Sequence, residues 1–255
     1  MRFSYDMALL VSLVNRWRLE MHMFHLPCGE MAPTLEYISL LAGLPCACAA
    51  VGARNVGVGW RDEMLGYFSV IQQLDGVAPF RPFPANEKHG PTKAFLVQFV
   101  ADTMHPLAGV QDVSRHLEAY LMWLFKWVIF TETHGNTVSW SIIPYTREGA
   151  DADPAEVLQY SWVSTVLAVV YRGLCDGCTK IDDNAILTGC SLLLQMWLYE
   201  RITIDKPVVD LSTYQFGVDG VDDPTMGSLW CKRRTHHAYP DFVRQFDELT
   251  VDCVR

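Results

Sequence analysis

The stretch HMFHLPCGEM, residues 22–31, decides how the first part of this chain folds. Phe24 and Leu26 are two residues apart, so an extended backbone places both side chains on the same face. Pro27 and Gly29 follow directly, and residues of these two types end an extended segment in a turn. The stretch therefore predicts a short strand with one buried apolar face, followed by a turn.

Three side chains of the same stretch, those of His22, His25 and Cys28, carry the ligand atoms of zinc sites. Their three-residue spacing across a turn matches no common zinc pattern, and a fourth ligand would have to come from a distant part of the chain. Packed imidazoles beside a small buried thiol are the favoured interpretation. A metal site formed by the three residues is the alternative.

Helical periodicity precedes the stretch. Apolar residues recur at helical spacing and predict an amphipathic helix over about residues 5–18, capped by Ser4 or Asp6. The apolar positions that carry this prediction are Met7, Leu10, Val11, Val14 and Trp17.

A second predicted helix follows the stretch, over about residues 34–42. Thr34 is expected to be its N-cap, Gly43 its left-handed C-terminal residue, and Pro45 prevents continuation. Four apolar side chains of this helix and the preceding strand are expected to face inward: Phe24, Leu26, Leu35 and Ile38. Burying each of them contributes roughly 1.5–3 kcal/mol before entropy costs.

The remaining pattern predicts further helices joined by loops. Helices are expected over about residues 60–74, 92–104, 113–131, from 162 after a cap at Ser161, over 185–201, and from Pro240 to 249. Loops are expected at 76–92 and 203–238, and alternation over residues 138–142 predicts a short strand. The sequence therefore predicts a mainly α fold, a single globular multi-helix domain with a few short strands or hairpins.

Composition and charge limit the possible functions. The chain has 255 residues, of which 50% are hydrophobic and 19% charged, enough for a substantial core. Its net charge of −9 disfavours extensive binding to nucleic-acid phosphates and attraction to anionic membranes. With no secretion signal at its start, the chain is expected to be intracellular and its eight cysteines to be reduced thiols.

Two cysteine pairs could serve redox or zinc chemistry. Cys175 and Cys178 form a C-x-x-C pair, and Cys46 and Cys48 lie in a predicted loop. A redox pair is activated at a helix N-terminus, whereas Cys175 and Cys178 are expected near a helix C-terminus, where the dipole has the wrong sign. Unpaired structural thiols are favoured, and a zinc site shared by the two pairs is the alternative.

Two other groups have both a catalytic and a structural interpretation. Lys126 lies among aromatic residues, where a desolvated amine could form a Schiff base. A lysine that extends from a buried helix toward solvent is favoured instead. Asp219, Asp222 and Asp223 could bind Mg²⁺ or Ca²⁺, but their spacing is not that of a known loop, and a solvated acidic loop is favoured.

One basic cluster stands out, formed by Lys232, Arg233 and Arg234 with His236 and His237. It could contact phosphate groups or an acidic protein surface, although ordinary surface charge is its commonest explanation. Neither a nucleophile elbow nor a phosphate-binding loop occurs. The residues therefore predict no catalytic group and no cofactor.

Several longer motifs occur in a fixed order along the chain. They are RWR at 16–18, FHLPCGEM at 24–31, PTL at 33–35, LLAGLP at 40–45, GNTV at 135–138, YSW at 160–162, LA at 167–168, YRGLC at 171–175, LLLQMW at 192–197, ER at 200–201 and PTMGS at 224–228. From about residue 8 to the end, the chain resembles the plant mobile domain of MAIN-like proteins, which is often labelled aminotransferase-like. The positions matched most specifically are Trp17, Arg18, Phe24, His25, Leu26, Pro27, Gly29, Glu30, Gly43, Pro45, Asn136, Ser161, Trp162, Arg172, Gln195, Trp197, Glu200 and Arg201.

The resemblance implies a plant mobile domain over residues 1–255 of a nuclear plant protein related by descent to transposable elements. It implies a role in transposable-element silencing, genome stability and meristem maintenance, beside a partner of the phosphoprotein phosphatase type. The family brings no catalytic residue or cofactor to this chain. The expected function is therefore a non-catalytic protein-interaction module. The alternatives are a pyridoxal-phosphate enzyme, a relic metal-dependent nuclease and a nucleic-acid-binding module.

The chain departs from the family pattern at a few positions. Leu19 stands where the family usually has proline, Tyr37 where it often has an acid, and Cys46-Ala47-Cys48 where it usually has Val-Asp-Gly. A Trp-x-Pro-Tyr element that usually follows the last helix is absent before Arg255. The sequence is therefore expected to be a short, drifted, transposon-borne copy that is truncated at its C-terminus.

Overall fold

The computed structural model describes residues 5–46, 49–52, 54–69, 90–99, 109–131, 135–152, 160–179, 187–204 and 237–254. Backbone contacts divide the chain into two compact units. The first unit is built by both ends of the chain, Met1–Val51 and Gln159–Arg255, and the second by Gly52–Leu158. That residues 1–255 act as one domain stays a prediction.

Helices dominate the described residues, and the mainly α fold class is confirmed. The helices are α1 Met7–Val14, α2 Leu35–Ala42, α3 Trp60–Ser69, α4 Lys93–Leu96, α5 Val110–Leu124, α6 Ile143–Asp151, α7 Trp162–Thr179, α8 Ser191–Arg201 and α9 Tyr239–Asp247. Helix α5 continues as a π-helical turn over Phe125–Ile129, and short 3₁₀ turns cover Trp140–Ile142 and Val251–Cys253.

The first hairpin forms a small antiparallel sheet in the order β1-β2-β3. The strands are β1 Trp17–Arg18, β2 Met23–Leu26 and β3 Gly29–Met31. Trp17 pairs with Phe24, and both side chains are buried. The helix predicted over residues 5–18 ends at Val14, so the prediction is wrong for Trp17, which the strand pairing with Phe24 places in the sheet.

Local capping signals fix the helices on either side of this sheet. The Oδ1 atom of Asp6 accepts hydrogen bonds from the backbone N–H groups of Ala8 and Leu9, as predicted for an N-cap. Thr34 caps α2 through a 3.4 Å bond from the Tyr37 N–H, and Gly43 ends α2 with a φ of 65°. Leu35 was expected to face inward, but it is 42% exposed at the first position of α2. The inward position predicted for Ile38 is confirmed, and Leu41 is buried beside it.

The first unit has an aromatic core around the hairpin. Helix α1 packs against α7, α8 and α9, and α2 packs against α7 and α8. Phe24 stacks on Trp197 of α8 at 5.4 Å between ring centroids, and Trp17 lies 5.2 Å from the Tyr171 ring of α7. Strand β2 therefore contributes its buried face to the same core as the long C-terminal helices.

The second unit packs α4, α5 and α6 together. Its buried core consists of Met64, Phe68, Phe95, Leu96, Phe99, Ala119, Met122, Val138 and Ile143. The strand predicted over residues 138–142 is wrong, because Trp140–Ile142 form a 3₁₀ turn that leads into α6. Pro144 in the first turn of α6 is compatible with a helix start, but no helix was predicted there.

Helix α5 buries several charged or polar residues and exposes several apolar ones, which is the reverse of the usual amphipathic pattern. Arg115, His116 and Glu118 are buried. Exposed apolar residues recur on its opposite face: Val110, Val113, Leu117 and Tyr120. Toward its C-terminal end, the buried side becomes apolar, with Ala119 and Met122. The first half of α5 therefore directs charged groups into the second unit.

Candidate functional site

A surface cavity of about 430 Å³ runs along the first hairpin in the first unit, and we call it the hairpin groove. Its polar lining comes from Asn15, Arg16, Arg18, His25, Tyr239 and Asp247. Its apolar lining comes from Leu26, Pro27 and Val243. The groove thus combines the motif residues of the hairpin with one face of α9.

Strand alternation explains why the motif residues line the groove. Trp17, Phe24 and Leu26 are buried, so their neighbours Arg18 and His25 point to the outer face of the sheet. The register is fixed at this point by a 2.8 Å hydrogen bond from the His25 N–H to the Arg16 carbonyl. The residues that hold the sheet and the residues that line the groove therefore alternate along the same strands.

Arg16 connects the two walls of the groove. Its guanidinium donates to the Ser12 carbonyl at 2.7 Å, to the Val243 carbonyl at 3.0 Å and to Asp247 Oδ1 at 2.6 Å. It also lies 4.8 Å from the ring centre of Phe246. With this many partners, Arg16 holds α9 against the end of α1 rather than serving an incoming ligand.

The other polar groups of the groove are far less engaged. Among the described residues, none hydrogen-bonds to or ion-pairs with the exposed guanidinium of Arg18. His25 Nδ1 is 3.6 Å from Glu30 Oε1, at the exposed edge of the hairpin. Asn15 Nδ2 donates to the Tyr239 hydroxyl oxygen at 2.6 Å, which leaves the hydroxyl hydrogen able to donate elsewhere. The groove therefore offers hydrogen-bond donors to solvent.

The three candidate zinc ligands of the sequence have separate environments. The His22 ring stacks on Tyr171, with 6.3 Å between centroids and 7° between planes, at a backbone φ of 52°. His25 faces Glu30, and burial raises the pKa of the Cys28 thiol. Within the part of the chain that the structure describes, no three His, Cys, Asp or Glu side chains are grouped to hold a metal.

Several other motif residues support the aromatic core. Gln195 Oε1 accepts from the Asp6 N–H at 2.6 Å, and Gln195 Nε2 donates to the Tyr199 hydroxyl at 3.0 Å. Arg201 donates to the hydroxyl of Tyr37 and stacks over its ring. Gln195 therefore connects the start of α1 to α8, and Arg201 connects the end of α8 to α2.

The remaining motif positions have mixed exposure. Ser161 is buried and donates to the Cys46 carbonyl at 2.8 Å just before α7 begins. Trp162 packs edge-on against Tyr160. The exposed or partly exposed motif positions are Pro27, Gly29, Glu30, Gly43, Pro45, Asn136, Arg172 and Glu200.

The cysteine pair at the end of α7 is structural in its contacts. Cys175 Sγ accepts a 3.3 Å hydrogen bond from the Trp17 indole, and Cys178 donates to the Cys175 carbonyl at 3.3 Å. Burial raises the pKa of Cys178, which opposes thiolate formation. Cys46 is exposed, whereas Cys48 lies outside the described residues.

The other candidates divide between one buried residue and a segment that the structure does not describe. Lys126 is only 5% exposed on the π-helical turn, which corrects the expectation of a lysine that extends toward solvent. Asp219, Asp222, Asp223, Lys232, Arg233, Arg234 and His236 lie outside the described residues. Their metal-binding and nucleic-acid roles stay predictions.

The second unit contains a buried ionic cluster that the sequence pattern did not predict, and we call it the Glu118 cluster. Glu118 of α5 is fully buried, and its Oε2 accepts from Arg147 Nε of α6 at 2.8 Å. The guanidiniums of Arg147 and Arg115 lie 4.5 and 4.9 Å from the ring centre of Tyr67. Glu118 Oε1 is buried and has no hydrogen-bond partner among the described residues.

A hydrogen-bond chain adjoins the Glu118 cluster. The Tyr67 hydroxyl is 2.9 Å from Ser114 Oγ, and Ser114 Oγ donates to Asp151. Burial raises the pKa of Glu118 to about 7, although the hydrogen bond and charge of Arg147 act in the opposite direction. Burial also raises the pKa of Tyr67. The interior of the second unit therefore holds a carboxyl whose charge changes near neutral pH.

Fold and groove together define a mainly α-helical module with an open, donor-lined surface groove. Among the described residues, its buried ionic groups are enclosed rather than gathered in an accessible cleft. The plant mobile domain model matches residues 1–255, and the chain belongs to the plant mobile domain family.

Three relatives from Arabidopsis thaliana illustrate the similarity. The chain is 32% identical to the protein MAINTENANCE OF MERISTEMS, over 80% of this chain and 39% of that protein. It is 31% identical to the protein MAIN-LIKE 1, over 89% of this chain and 46% of that protein. It is 29% identical to a serine/threonine-protein phosphatase 7 long form homolog, over 95% of this chain and 17% of that protein.

The chain spans less than half the length of each of these relatives. No solved structure matches it. None of the described helices is both long enough and apolar enough to cross a bilayer.

Proposed function

We propose that this chain is a non-catalytic protein-interaction module and that the hairpin groove binds a segment of a partner protein. The observation that carries the proposal is the division of roles along β1 and β2. Trp17 and Phe24 build the core, whereas Arg18 and His25 face an open groove. Exposed donors beside apolar wall residues suit the recognition of a polypeptide segment better than they suit chemistry on a small substrate.

We further propose that the module acts in the nucleus, in transposable-element silencing and meristem maintenance, with a partner of the phosphoprotein phosphatase type. Membership of the plant mobile domain family supports this proposal. So do the names of two relatives, which refer to meristem maintenance and to a phosphatase. In the phosphatase homolog the matching part is 17% of the protein, so a domain of this kind there accompanies other sequence.

A binding measurement with a defined partner tests the proposal. The full chain is titrated with a recombinant plant phosphoprotein phosphatase domain by calorimetry, and the Arg18→Ala/His25→Ala double variant is compared with it. We expect the double variant to bind at least about tenfold more weakly, the loss of roughly 1.4 kcal/mol. Arg172→Ala is the matched control, because it removes an exposed arginine of the same unit that does not line the groove.

The outcomes distinguish a groove that is not the interaction surface from a partner that was wrongly chosen. Equal binding by the wild type and the double variant would show that the groove is not the interaction surface. If the phosphatase domain does not bind at all, a pull-down from plant nuclear extract with the same three proteins follows. A nuclear protein retained by the wild type and Arg172→Ala but lost with the double variant supports the module with another partner.

A further inference from the structure

We infer that the hairpin groove recognises carboxylate side chains, so its partner segment is an extended acidic stretch of Asp and Glu residues. This inference rests on the proposed function and adds the chemistry of the ligand to it. Three features of the groove support it: its local charge, its excess of donors and its apolar wall.

The side chains that line the groove carry one net positive charge in an acidic chain. Two guanidiniums, of Arg16 and Arg18, line it with one carboxylate, of Asp247, which leaves one positive charge with histidine neutral. A further carboxylate, of Glu30, lies 3.6 Å from His25 at the edge of the hairpin, outside the lining. The whole chain carries −9. Asp247 is already bound by Arg16 at 2.6 Å, so its charge is compensated within the wall. An acidic segment that the rest of the surface repels would be attracted to Arg18, because no described carboxylate forms an ion pair with it.

The donors of the groove match carboxylate geometry. A guanidinium presents its N–H groups as a planar fork that binds both oxygens of a carboxylate. Arg18 is exposed on the outer face of β1, and no described residue hydrogen-bonds to its guanidinium or forms an ion pair with it, although its charge acts on the nearby thiol of Cys178. The Tyr239 hydroxyl, which accepts from Asn15 at 2.6 Å, can donate its hydrogen to the same ligand. Arg18 and Tyr239 thus line one cavity with donors.

The apolar wall of the groove favours a peptide segment over a free anion as the ligand. Leu26, Pro27 and Val243 line the groove beside the donors. They offer contact to the methylene groups of glutamate and to the small residues between acids. A cavity of about 430 Å³ is within the size range of small-ligand pockets, so it has room for a few side chains of a bound segment. An inorganic anion would use the arginine and leave this wall unoccupied.

Labelled peptides titrated into the full chain test the inference by fluorescence anisotropy. One peptide alternates Glu and Asp with Ala, a second replaces every acid by its amide, and a third carries phosphoserine at the acidic positions. The proteins are the wild type, Arg18→Gln, Tyr239→Phe and the control Arg172→Gln, each first checked for an unchanged melting temperature. All four proteins keep the full chain.

We expect the wild type to bind the acidic peptide at least about tenfold more tightly than the amide peptide. Arg18→Gln should weaken binding of the acidic peptide about tenfold and Tyr239→Phe a few-fold, whereas Arg172→Gln should stay within about twofold. Raising the salt concentration should weaken binding further, because the contacts are exposed. These results together would support carboxylate recognition.

Contrary results are equally clear. Equal affinity for acidic and amide peptides, an unaffected Arg18→Gln variant, or tight binding of the phosphoserine peptide alone would each overturn carboxylate recognition. Absence of peptide binding, with the Arg18→Ala/His25→Ala double variant still losing its protein partner, would overturn the acidic ligand and leave the proposed function standing. If the double variant loses nothing, the proposed function itself fails.

Discussion

Replacing Glu118 by glutamine should remove a pH dependence that burial builds into the second unit. Burial raises the pKa of Glu118 from 4.5 to about 7, and the 2.8 Å bond from Arg147 offsets only part of the effect of burial. Glutamine has nearly the same shape, and it mimics the protonated carboxyl because it is neutral. The variant thus isolates the titration of one buried group.

The sign of the effect follows from proton binding. Between pH 4.5 and about 7, the unfolded chain has lost the Glu118 proton and the folded chain retains it, so folding stability falls as pH rises. A pKa that differs by one between the folded and unfolded chain corresponds to about 1.4 kcal/mol, so this interval corresponds to about 3 kcal/mol. Glu118 is fully buried, so solvent does not screen its interactions. The free energy of unfolding of Glu118→Gln, minus that of the wild type, should therefore increase by about 3 kcal/mol from pH 4.5 to 8.

Urea unfolding followed by tryptophan fluorescence measures this difference. Trp60, Trp123 and Trp127 pack against the core of the second unit and report on its unfolding. Glu148→Gln is the matched control, because it removes a carboxylate from a more exposed ion pair, with Arg54, in the same unit. A pH slope shared by both variants would reflect net charge rather than burial.

Two results would refute the reasoning. A difference between wild type and Glu118→Gln that stays constant with pH would show that the carboxyl titrates alike in folded and unfolded chains. A difference that decreases as pH rises would show that Arg147 stabilises the carboxylate by more than burial destabilises it. The slope against pH therefore decides which effect dominates in the Glu118 cluster.

Three further predictions follow from the packing. Gly173→Ala would place a Cβ 2.0 Å from the Thr188 carbonyl oxygen, so the free energy of unfolding in urea should fall by about 3 kcal/mol or more. Gly66→Ala is the control on α3, where the added Cβ meets open space, and its free energy of unfolding should rise by about 0.5–1 kcal/mol. Similar values for both variants would contradict the close approach at Gly173. Phe24→Ala should cost about 3–5 kcal/mol, and a loss below about 1 kcal/mol would remove the hairpin from the core. A chelator should leave the melting temperature unchanged, and a fall would revive the zinc interpretation of the hairpin.

Local signals made much of the fold predictable. The caps at Asp6, Thr34 and Gly43 depend only on neighbouring residues, so the sequence determines them directly. The inward side of the strand at Phe24 and Leu26 follows from alternation alone. Trp17 was mispredicted because its helical spacing is a weaker determinant than its tertiary pairing with Phe24.

Only part of the hairpin groove could be predicted from the sequence. His25 lies between Phe24 and Leu26 in the predicted strand, so its exposure follows from alternation. Arg18 was predicted at the end of a helix, and its place on the outer face follows only from the pairing of Trp17 with Phe24. Tyr239 and Asp247 come from α9, more than two hundred residues away in sequence, and no local pattern brings them to the hairpin. Distant packing of this kind needs a structure.

The Glu118 cluster was missed because an ordinary amphipathic pattern would expose its charges. In a regular helix, one rotation about the axis decides which residues face the core at both ends of α5. Burying Ala119 and Met122 toward the C-terminal end carries Glu118 and Arg115 toward the same side. Val110 and Leu117 are consequently left exposed on the opposite side.

A buried carboxylate needs neighbouring groups that compensate its charge, and for Glu118 these groups lie on two other helices. Arg147 of α6 neutralises Glu118, and Tyr67 of α3 offers its ring to the guanidiniums of Arg147 and Arg115. Burial raises the pKa of Glu118 by more than Arg147 lowers it, and one carboxylate oxygen has no hydrogen-bond partner among the described residues. The Glu118 carboxyl is also fully enclosed, so a substrate would reach it only if the core opened. In the hairpin groove of the first unit, by contrast, Arg18 and His25 are exposed to solvent and are therefore accessible to another molecule.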